Sequence, residues 1–318
     1  MELFSYILLT LAAVALSVRG TSLNTLTVVL CVSAFAALSI VVRASGYDSD
    51  IPVYVERMQT VEHGWYYFRE PVVWYVQRLL FYVTKSDFSA LVISDLLVYL
   101  MVATALYGLG GPAYALLSIV IFVPFVLGMQ NVYRQWVASA FLLLAISRSK
   151  KTTSQAIVFY VLAVLSHSAA VFFLPLVTAS TRWRLIGLIV SMLVLPVALF
   201  FGRGTRLESY TGADLGVVYF LVFVSLTALW CLLNKKRDRL WSDSAFISLF
   251  YLTYAVGVGV LLLPSSGAER LGLFGMLAAY PIFLKIVEEK MPHWFIRSGF
   301  IVGGFVPVLV FETRQFLV

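Results

Sequence analysis

The sequence predicts an all-α polytopic membrane protein that forms a single integral membrane domain over residues 1–318. Three observations support this prediction: 61% of the residues are hydrophobic, only 12% are charged, and the mean hydropathy is +0.93. Hydrophobic residues make up nearer half of a soluble domain. The apolar residues also fall in successive runs, most of them close to the roughly 20 residues that cross a bilayer as a helix. We therefore expect about 10 or 11 transmembrane helices with one re-entrant segment.

The chain begins with two apolar runs, 3–18 and 24–42, which we interpret as the first two spans. An Ala-x-Ala at 13–15 is typical of a signal-peptide cleavage site, but Glu2 stands where such peptides are basic, and further spans follow at once. The long polar segment 43–87 comes next. Within it, 71–84 is apolar on one side and too short to span, which predicts an extracytoplasmic, interfacial amphipathic helix with a Trp and Tyr belt.

Eight more runs are predicted to be spans of the second part of the chain. They lie at about 88–108, 112–128, 135–147, 185–201, 216–234, 244–263, 271–287 and 295–311. Gly299 and Gly303 in the last run fit G-x-x-x-G, which we interpret as a helix-packing motif.

The basic residues predict which loops face the cytoplasm. Loops 148–151 and 235–239 are both basic, and the positive-inside rule places both inside. An even number of crossings must then separate them, although three apolar runs lie between. If the run 156–178 enters and returns as a hairpin, 13 Lys and Arg lie inside and 10 outside, and five of those ten belong to the polar segment. The inside set is Arg19, Arg148, Lys150, Lys151, Arg182, Arg184, Lys235, Lys236, Arg237, Arg239, Lys285, Lys290 and Arg297.

If all three runs cross fully, the short-loop count becomes 8 inside against 10 outside, which contradicts the rule. One run is therefore predicted to be re-entrant, and two placements remain. In the favoured one, Ser166-His167-Ser168 is a turn that puts His167 at the tip of a hairpin, entered from the cytoplasmic side and deep in the membrane. In the other, 156–178 crosses fully and 185–201 breaks at Pro196.

Both placements gather charged and polar residues at the outer face, above His167. An ionisable residue inside a membrane segment is by default a hypothesis for a functional site. The alternative is that His167 only hydrogen-bonds a neighbouring helix. Arg suits phosphate because its planar fork donates two parallel hydrogen bonds, although ion pairs of Arg270 with Glu269 or of Arg206 with Glu208 would also explain Arg there. The outer set is Asp48, Asp50, Glu70, Arg134, Gln135, Arg203, Arg206, Glu269 and Arg270.

Such a set of residues could bind a lipid diphosphate headgroup at the membrane surface. Fixed cations stabilise a diphosphate as its charge grows on leaving, and a His or carboxylate can act as general base on a sugar hydroxyl. Asp48 and Asp50 have the D-x-D spacing of a metal site, but one such tripeptide in an acidic loop is weak, so we expect no metal and no cofactor. The three scattered His argue against zinc, and Cys31 and Cys231 lie in apolar runs. The basic loops are a topological signal and predict no nucleic-acid partner.

At these residues the chain resembles the EpsG family of bacterial exopolysaccharide polymerases, which are related in role to the Wzy O-antigen polymerases. The resemblance rests on four motifs between about residues 40 and 180. They are Gly46-Tyr47-Asp48 with Tyr54, Glu70 ahead of the amphipathic helix, Asn131 with Arg134-Gln135 opening a span, and Ser166-His167-Ser168-Ala169.

The resemblance implies a metal-independent glycosyltransferase of the GT-C type in the bacterial inner membrane, with its active site facing the periplasm or outside. Such enzymes move a growing glycan from one undecaprenyl-diphosphate carrier onto the next lipid-linked repeat unit. Carried over, Arg134 and Arg270 would hold diphosphate, His167 or Asp48 would act on the acceptor hydroxyl, and Glu70 would position sugar or an Arg. The short loop 202–215 and the lack of a large late periplasmic domain depart from the commoner pattern, which leaves the acceptor-binding residues open.

Two other functions fit the same residues. A membrane O-acyltransferase could use His167 on a sugar hydroxyl and would need a donor tunnel from the cytoplasm. A polysaccharide flippase or transporter could line its pathway with the Arg residues and His167, although the sequence lacks the internal repeat of many transporters. The membrane and a lipid-linked oligosaccharide are the expected partners, and the sequence leaves open whether a chain-length regulator also binds.

Overall fold

A computed structural model describes residues 2–20, 23–46, 50–60, 68, 70–202, 215–234 and 237–310. These residues form helices and connecting turns, with no strand among them. The α-helices are α1 (Glu2–Arg19), α2 (Thr25–Ala44), α3 (Ile51–Gln59), α4 (Pro71–Thr84), α5 (Asp87–Gly108), α6 (Ala115–Val120), α7 (Val123–Gln130), α8 (Tyr133–Ser149), α9 (Thr153–Ser166), α10 (Leu174–Thr178), α11 (Arg184–Gly202), α12 (Leu215–Leu233), α13 (Ser244–Leu262), α14 (Ser265–Lys285) and α15 (Trp294–Val310). Short 3-10 helices cover Ser168–Phe173 and Arg237–Ser242, and a π-helical turn, Ile286–Lys290, extends α14.

Seven helices of the described chain are long and apolar enough to cross a membrane: α1, α2, α5, α11, α12, α13 and α14. Each coincides with a predicted span, so the all-α polytopic class is confirmed. The remaining apolar helices are shorter, and the count of full-length spans is therefore lower than the 10 or 11 expected from the sequence. The 17 residues of α8 and of α15 fall just under the length of the seven.

The predicted single span at 112–128 is wrong. The structure divides it into α6 and α7, joined at Ile121 and Phe122. Pro124 lies in the first turn of α7, where its missing N–H is tolerated, but a continuous helix would bring its ring against the carbonyl of Val120. The chain therefore turns at Phe122, whose backbone is extended, and restarts as a new helix.

The amphipathic helix predicted at 71–84 is confirmed as α4. Val73, Trp74 and Gln77 on one face are buried, while Leu79 and Tyr82 on the other are 61% and 69% exposed. The helix ends at Thr84, and the next residue, Lys85, takes the left-handed conformation with φ 55°. The buried face packs against α5 and α9. The first turn of α4 is therefore held close to these two helices.

Side-chain contacts between distant helix ends define one end of the bundle, which we call the basic end. Ser149 at the end of α8 is 2.7 Å from Ser180, and Trp230 near the end of α12 donates to Asp243 ahead of α13. The ammonium group of Lys285 lies 5.3 Å from the ring centre of Trp230. A cleft of about 310 Å³ joins these pairs into one region, because Lys150, Ser180, Ser244 and Lys285 all line it. Among the described residues assigned to the inside, Arg148 and Lys150 lie beside Ser149, Arg182 lies two residues after Ser180, and Lys285 contacts Trp230.

The run 156–178 forms the hairpin of the favoured placement. It rises as α9, turns at His167 and descends through Ser168–Phe173 and α10 to Ser180, which is back beside Ser149. Tyr160 on the rising leg donates a hydrogen bond to the carbonyl of Val171 on the descending leg. The rival placement is wrong, because α11 continues through Pro196 without a break.

The interpretation of Gly299 and Gly303 as a packing motif is also wrong for the described chain. A Cβ atom added at either position would meet no other atom within 4 Å. Helix α15 packs through a different face, on which Ile301, Phe305 and Val308 are buried. The two glycines therefore face open space.

Candidate functional site

The carboxylate of Glu70 joins two of the residues that the sequence singled out. Its Oε1 lies 2.7 Å from Nδ1 of His167, and its Oε2 accepts a hydrogen bond from Arg134. Oε1 also accepts from the backbone N–H of Ser168 at 3.0 Å and from the Ser168 hydroxyl at 3.1 Å. Glu70 and His167 are buried, with 4% and 7% of their surface exposed. We call this group the Glu70 cluster and the end of the bundle that holds it the site end.

Three separate elements place these residues together. Glu70 immediately precedes Pro71, which starts α4 with a residue that needs no hydrogen bond to its nitrogen. Arg134 is the second residue of α8. His167 lies between α9 and the 3-10 helix, where its extended backbone (φ −156°, ψ 122°) ends the rising leg of the hairpin. Only the hairpin fold brings His167 to the first turn of α8.

The tip of the hairpin lies farther from the basic end than the sequence suggested. The 14 residues of α9 span about 21 Å at 1.5 Å per residue, close to the length of the 17-residue α8. His167 is therefore level with the start of α8 and with Glu70, and it is buried at the site end. Its depth in the membrane stays a prediction.

Aromatic side chains surround the guanidinium of Arg134. Its Nε donates to the hydroxyl of Tyr54 at 3.2 Å, and its central carbon lies 5.5 Å from the ring centre of Trp74. The Tyr54 and Trp74 rings are stacked with centroids 5.1 Å apart, and the Tyr133 ring lies 5.6 Å from that of Tyr54. The guanidinium is thus held by one carboxylate, one phenol and one aromatic face.

The partners of Glu70 keep it ionised. Burial alone would raise the pKa of its carboxyl, but the hydrogen bond and charge of His167, the charge of Arg134 and the N–H of Ser168 together outweigh burial and lower the pKa to about 2. A carboxylate only accepts hydrogen bonds, so the Nδ1 of His167 is the donor. In the neutral ring, Nε2 then carries the lone pair that can accept a proton. This is the arrangement in which a carboxylate orients a histidine base.

A second arginine lies near the cluster. Burial raises the pKa of Asp50, while the charges of Arg270 and Arg134 act in the opposite direction. Both arginines are therefore close enough to Asp50 to act on it. Arg270, near the start of α14, is exposed.

The other predicted site residues have different outcomes. Asp48, Arg203 and Arg206 lie outside the described residues. Gln135 is 5% exposed, and its side-chain oxygen has no hydrogen-bond partner among the residues that the structure describes. Within the same residues, no three His, Cys, Asp or Glu side chains are grouped so that they could hold a metal ion. Cys31 is buried and Cys231 is half-buried, and both are free thiols.

Asp95, which is fully buried within α5, was not among the site residues predicted from the sequence. It accepts hydrogen bonds from Ser39, Arg43 and Tyr133, the residue before Arg134. The sequence could have indicated it, because Asp95 lies within the predicted span 88–108. Like His167, an ionisable residue in such a span is by default a hypothesis for a functional site.

Two cavities of the described chain lie away from the Glu70 cluster. One, of about 220 Å³, is lined by apolar residues and glycine from α7, α12, α14 and α15. The other is the cleft at the basic end. Neither is lined by Glu70, Arg134 or His167, so the cluster is a candidate site on the basis of its chemistry and burial alone.

Comparison with known proteins found no matching family model, no matching curated protein and no matching solved structure.

Proposed function

We propose that the protein is a metal-independent glycosyltransferase that lengthens a polysaccharide at the membrane surface. It would transfer the growing glycan from one undecaprenyl-diphosphate carrier to the next lipid-linked repeat unit. The observation that carries this proposal is the Glu70 carboxylate, which contacts the imidazole of His167 and the guanidinium of Arg134 together. The resemblance of four motifs to those of the EpsG family supports the substrate class.

The chemistry follows from the roles that these groups can take. His167 Nε2 would accept the proton of the acceptor hydroxyl as its oxygen forms a bond to the anomeric carbon. Glu70 would hold the ring in the required tautomer and stabilise the imidazolium that results. The bond from the anomeric carbon to the diphosphate oxygen breaks, and the electron pair leaves with the diphosphate.

The leaving diphosphate needs fixed positive charge. Arg134 and Arg270 are permanently charged, and the charges of both act on the carboxyl of Asp50, which supports a shared role for them at the site end. Preorganised charges of this kind stabilise a leaving group because they need not reorient as the reaction proceeds. Arg203 and Arg206 are further candidates for this role.

The proposed orientation follows from the positive-inside rule. The basic end would face the cytoplasm and the site end the periplasm or outside, in a bacterial inner membrane. The exposed Tyr75, Leu79 and Tyr82 side chains of α4 would then lie at the outer membrane interface.

The experiment is extension of a lipid-linked repeat unit by the purified protein, read as a ladder on a gel. We expect His167→Ala to reduce the extension rate by roughly 100-fold or more, as loss of a general base does. His293→Ala is the matched control, since His293 is exposed and its ring stacks on that of the nearby Phe295. Full extension by His167→Ala at normal protein levels would exclude the proposed role.

A second function is favoured by the cleft at the basic end. Its lining includes Leu176, Ala179 and Ser180, from the descending leg whose upper end is His167. A membrane O-acyltransferase would take its acyl donor from this side and use His167 on a sugar hydroxyl. The two functions are separated by product analysis: His167→Ala shortens the polysaccharide in the first case and removes acyl groups at unchanged length in the second.

A further inference from the structure

A buried ion pair lies close to the site, because one of its partners, Tyr133, is the residue before Arg134. The carboxylate of Asp95 on α5 accepts from Arg43 through both Nε and Nη2, each at 2.9 Å. It also accepts from the Ser39 hydroxyl at 2.7 Å and the Tyr133 hydroxyl at 2.8 Å. Arg43 donates further to the carbonyl of Met129 at the end of α7. One carboxylate thus connects α2, α5 and α8.

Packing alone does not explain this pair. Arg43 is 4% exposed and Asp95 is fully buried, so both charges are removed from water. Replacing a buried ion pair by well-packed apolar residues of similar volume often leaves the stability of a protein unchanged or increases it. A fully hydrogen-bonded pair of this kind instead fixes one arrangement of the groups that contact it.

The group fixed by Asp95 that lies nearest the site is Tyr133. Its hydroxyl is held by Asp95, and its ring lies 5.6 Å from the guanidinium carbon of Arg43 and 5.6 Å from the Tyr54 ring. Tyr54 in turn accepts from Nε of Arg134. Tyr133 also precedes Arg134 in the first turn of α8. Both the backbone and the ring contact therefore lead from Asp95 to Arg134.

We propose that Asp95 and Arg43 are positioning residues, which act through Tyr133 and Tyr54 to fix the guanidinium of Arg134 against Glu70. They do not touch the reacting atoms. Their effect on extension rests on the proposed function, whereas their effect on the Glu70 cluster does not.

The test is Tyr133→Phe, which removes the hydroxyl that reaches Asp95 and leaves the ring and the Arg43 pair in place. Tyr99→Phe is the matched control. Tyr99 is equally buried, lies in α5 and donates one hydrogen bond to the carbonyl of Leu116, and its ring stacks on Phe35. Each variant removes one buried phenol hydroxyl, so a general loss of stability affects both alike.

Two readouts separate positioning from stability. The first is the extension assay. We expect Tyr133→Phe to reduce kcat/KM for the lipid-linked donor about tenfold, because a misplaced Arg134 stabilises the transition state less well. Tyr99→Phe should leave kcat/KM within about twofold of the wild type. The second is the acid transition of thermal stability that belongs to Glu70. Arg134 and His167 lower the pKa of that carboxyl, so a displaced Arg134 moves the transition to higher pH in Tyr133→Phe only.

The outcomes are distinguishable. If no protein extends glycans but the acid transition moves in Tyr133→Phe alone, the proposed function fails and the positioning role stands. If both variants behave alike in the acid transition, the positioning role is overturned whatever the activity. Should Tyr133→Phe not fold, Ser39→Ala removes a different donor to the same carboxylate, and the same two measurements decide.

Discussion

Nδ1 of His167 lies 2.7 Å from Oε1 of Glu70, although 97 positions separate the two residues in the chain. The contact joins the tip of a hairpin within the bundle to the residue that precedes a surface helix. Because Arg134 binds the other oxygen of the same carboxylate, the three residues form one unit. A change in Glu70 is therefore expected to affect both the histidine and the arginine.

The first prediction concerns the pH dependence of stability. The carboxyl of Glu70 has a pKa of about 2 in the folded protein, against an ordinary value of 4.5. Since the folded value is the lower one, its stabilising contribution, about 3 kcal/mol, is complete above pH 4.5 and is lost as the pH falls towards 2. We expect Glu70→Gln to be less stable than the wild type at pH 7 and the difference to shrink below pH 4.5.

Thermal unfolding in detergent from pH 7 to pH 3 measures this difference. Glu289→Gln is the control, because Glu289 is exposed and its ion pair with Lys285 is a long one, at 4.0 Å. A gap between wild type and Glu70→Gln that stays constant across the whole range would contradict the assigned interactions.

The second prediction tests the hairpin. Ser149→Cys combined with Ser180→Cys should form an intramolecular disulfide on mild oxidation, because the two hydroxyl oxygens are 2.7 Å apart. Both native cysteines are first removed by Cys31→Ser and Cys231→Ser, so that only the introduced pair can react. Protection from a maleimide-polyethylene glycol reagent reports the bond as a missing gel shift.

Ser149→Cys paired with Ser168→Cys is the control for the hairpin, since Ser168 contacts Glu70 at the site end and Ser149 lies at the basic end. If the run 156–178 crossed the membrane fully, Ser180 would lie at the site end and the first pair would stay fully reactive.

The third prediction concerns packing between α7 and α8. A Cβ atom at Gly128 would lie 2.7 Å from Cδ1 of Trp136, in a ring that is 1% exposed. Gly128→Ala should therefore destabilise the protein by about 1–3 kcal/mol, as overpacking of a filled core does. Gly303→Ala introduces the same methyl group where no atom of another described element lies within 4 Å, and we expect its stability to equal or exceed that of the wild type. Melting temperatures of the two variants in one detergent provide the comparison, and equal losses would refute it.

The fourth prediction tests orientation. Phe68 at the site end is 63% exposed, and Lys150 at the basic end is also exposed. In cells whose protein lacks the native cysteines, a membrane-impermeant maleimide should label Phe68→Cys and should label Lys150→Cys only after permeabilisation. The reverse labelling pattern would place the Glu70 cluster on the cytoplasmic side of the membrane. It would exclude a polymerase that acts on the outer surface.

Several features were predictable because they depend on local pattern. The seven full-length spans and helix α4 follow from the length and periodicity of apolar runs, which the backbone must satisfy with internal hydrogen bonds inside a bilayer. The hairpin at His167 followed from the charges of short loops, since these fix the parity of the crossings between them.

Other features needed the fold. The run at 112–128 is apolar throughout, and the break at Phe122 depends on how Pro124 meets the preceding turn. Gly299 and Gly303 have the spacing of a packing motif, yet only the position of α15 shows that they face open space.

The sequence by itself determined that this protein is a helical membrane bundle and that Glu70, Arg134 and His167 were worth examining. The tertiary structure decided that one carboxylate binds the other two and that Asp95 lies behind them. These contacts join residues 64 and 97 positions apart, and they depend on how whole helices pack. Hydropathy and loop charge, by contrast, indicate only where each helix begins and ends and which way it is oriented.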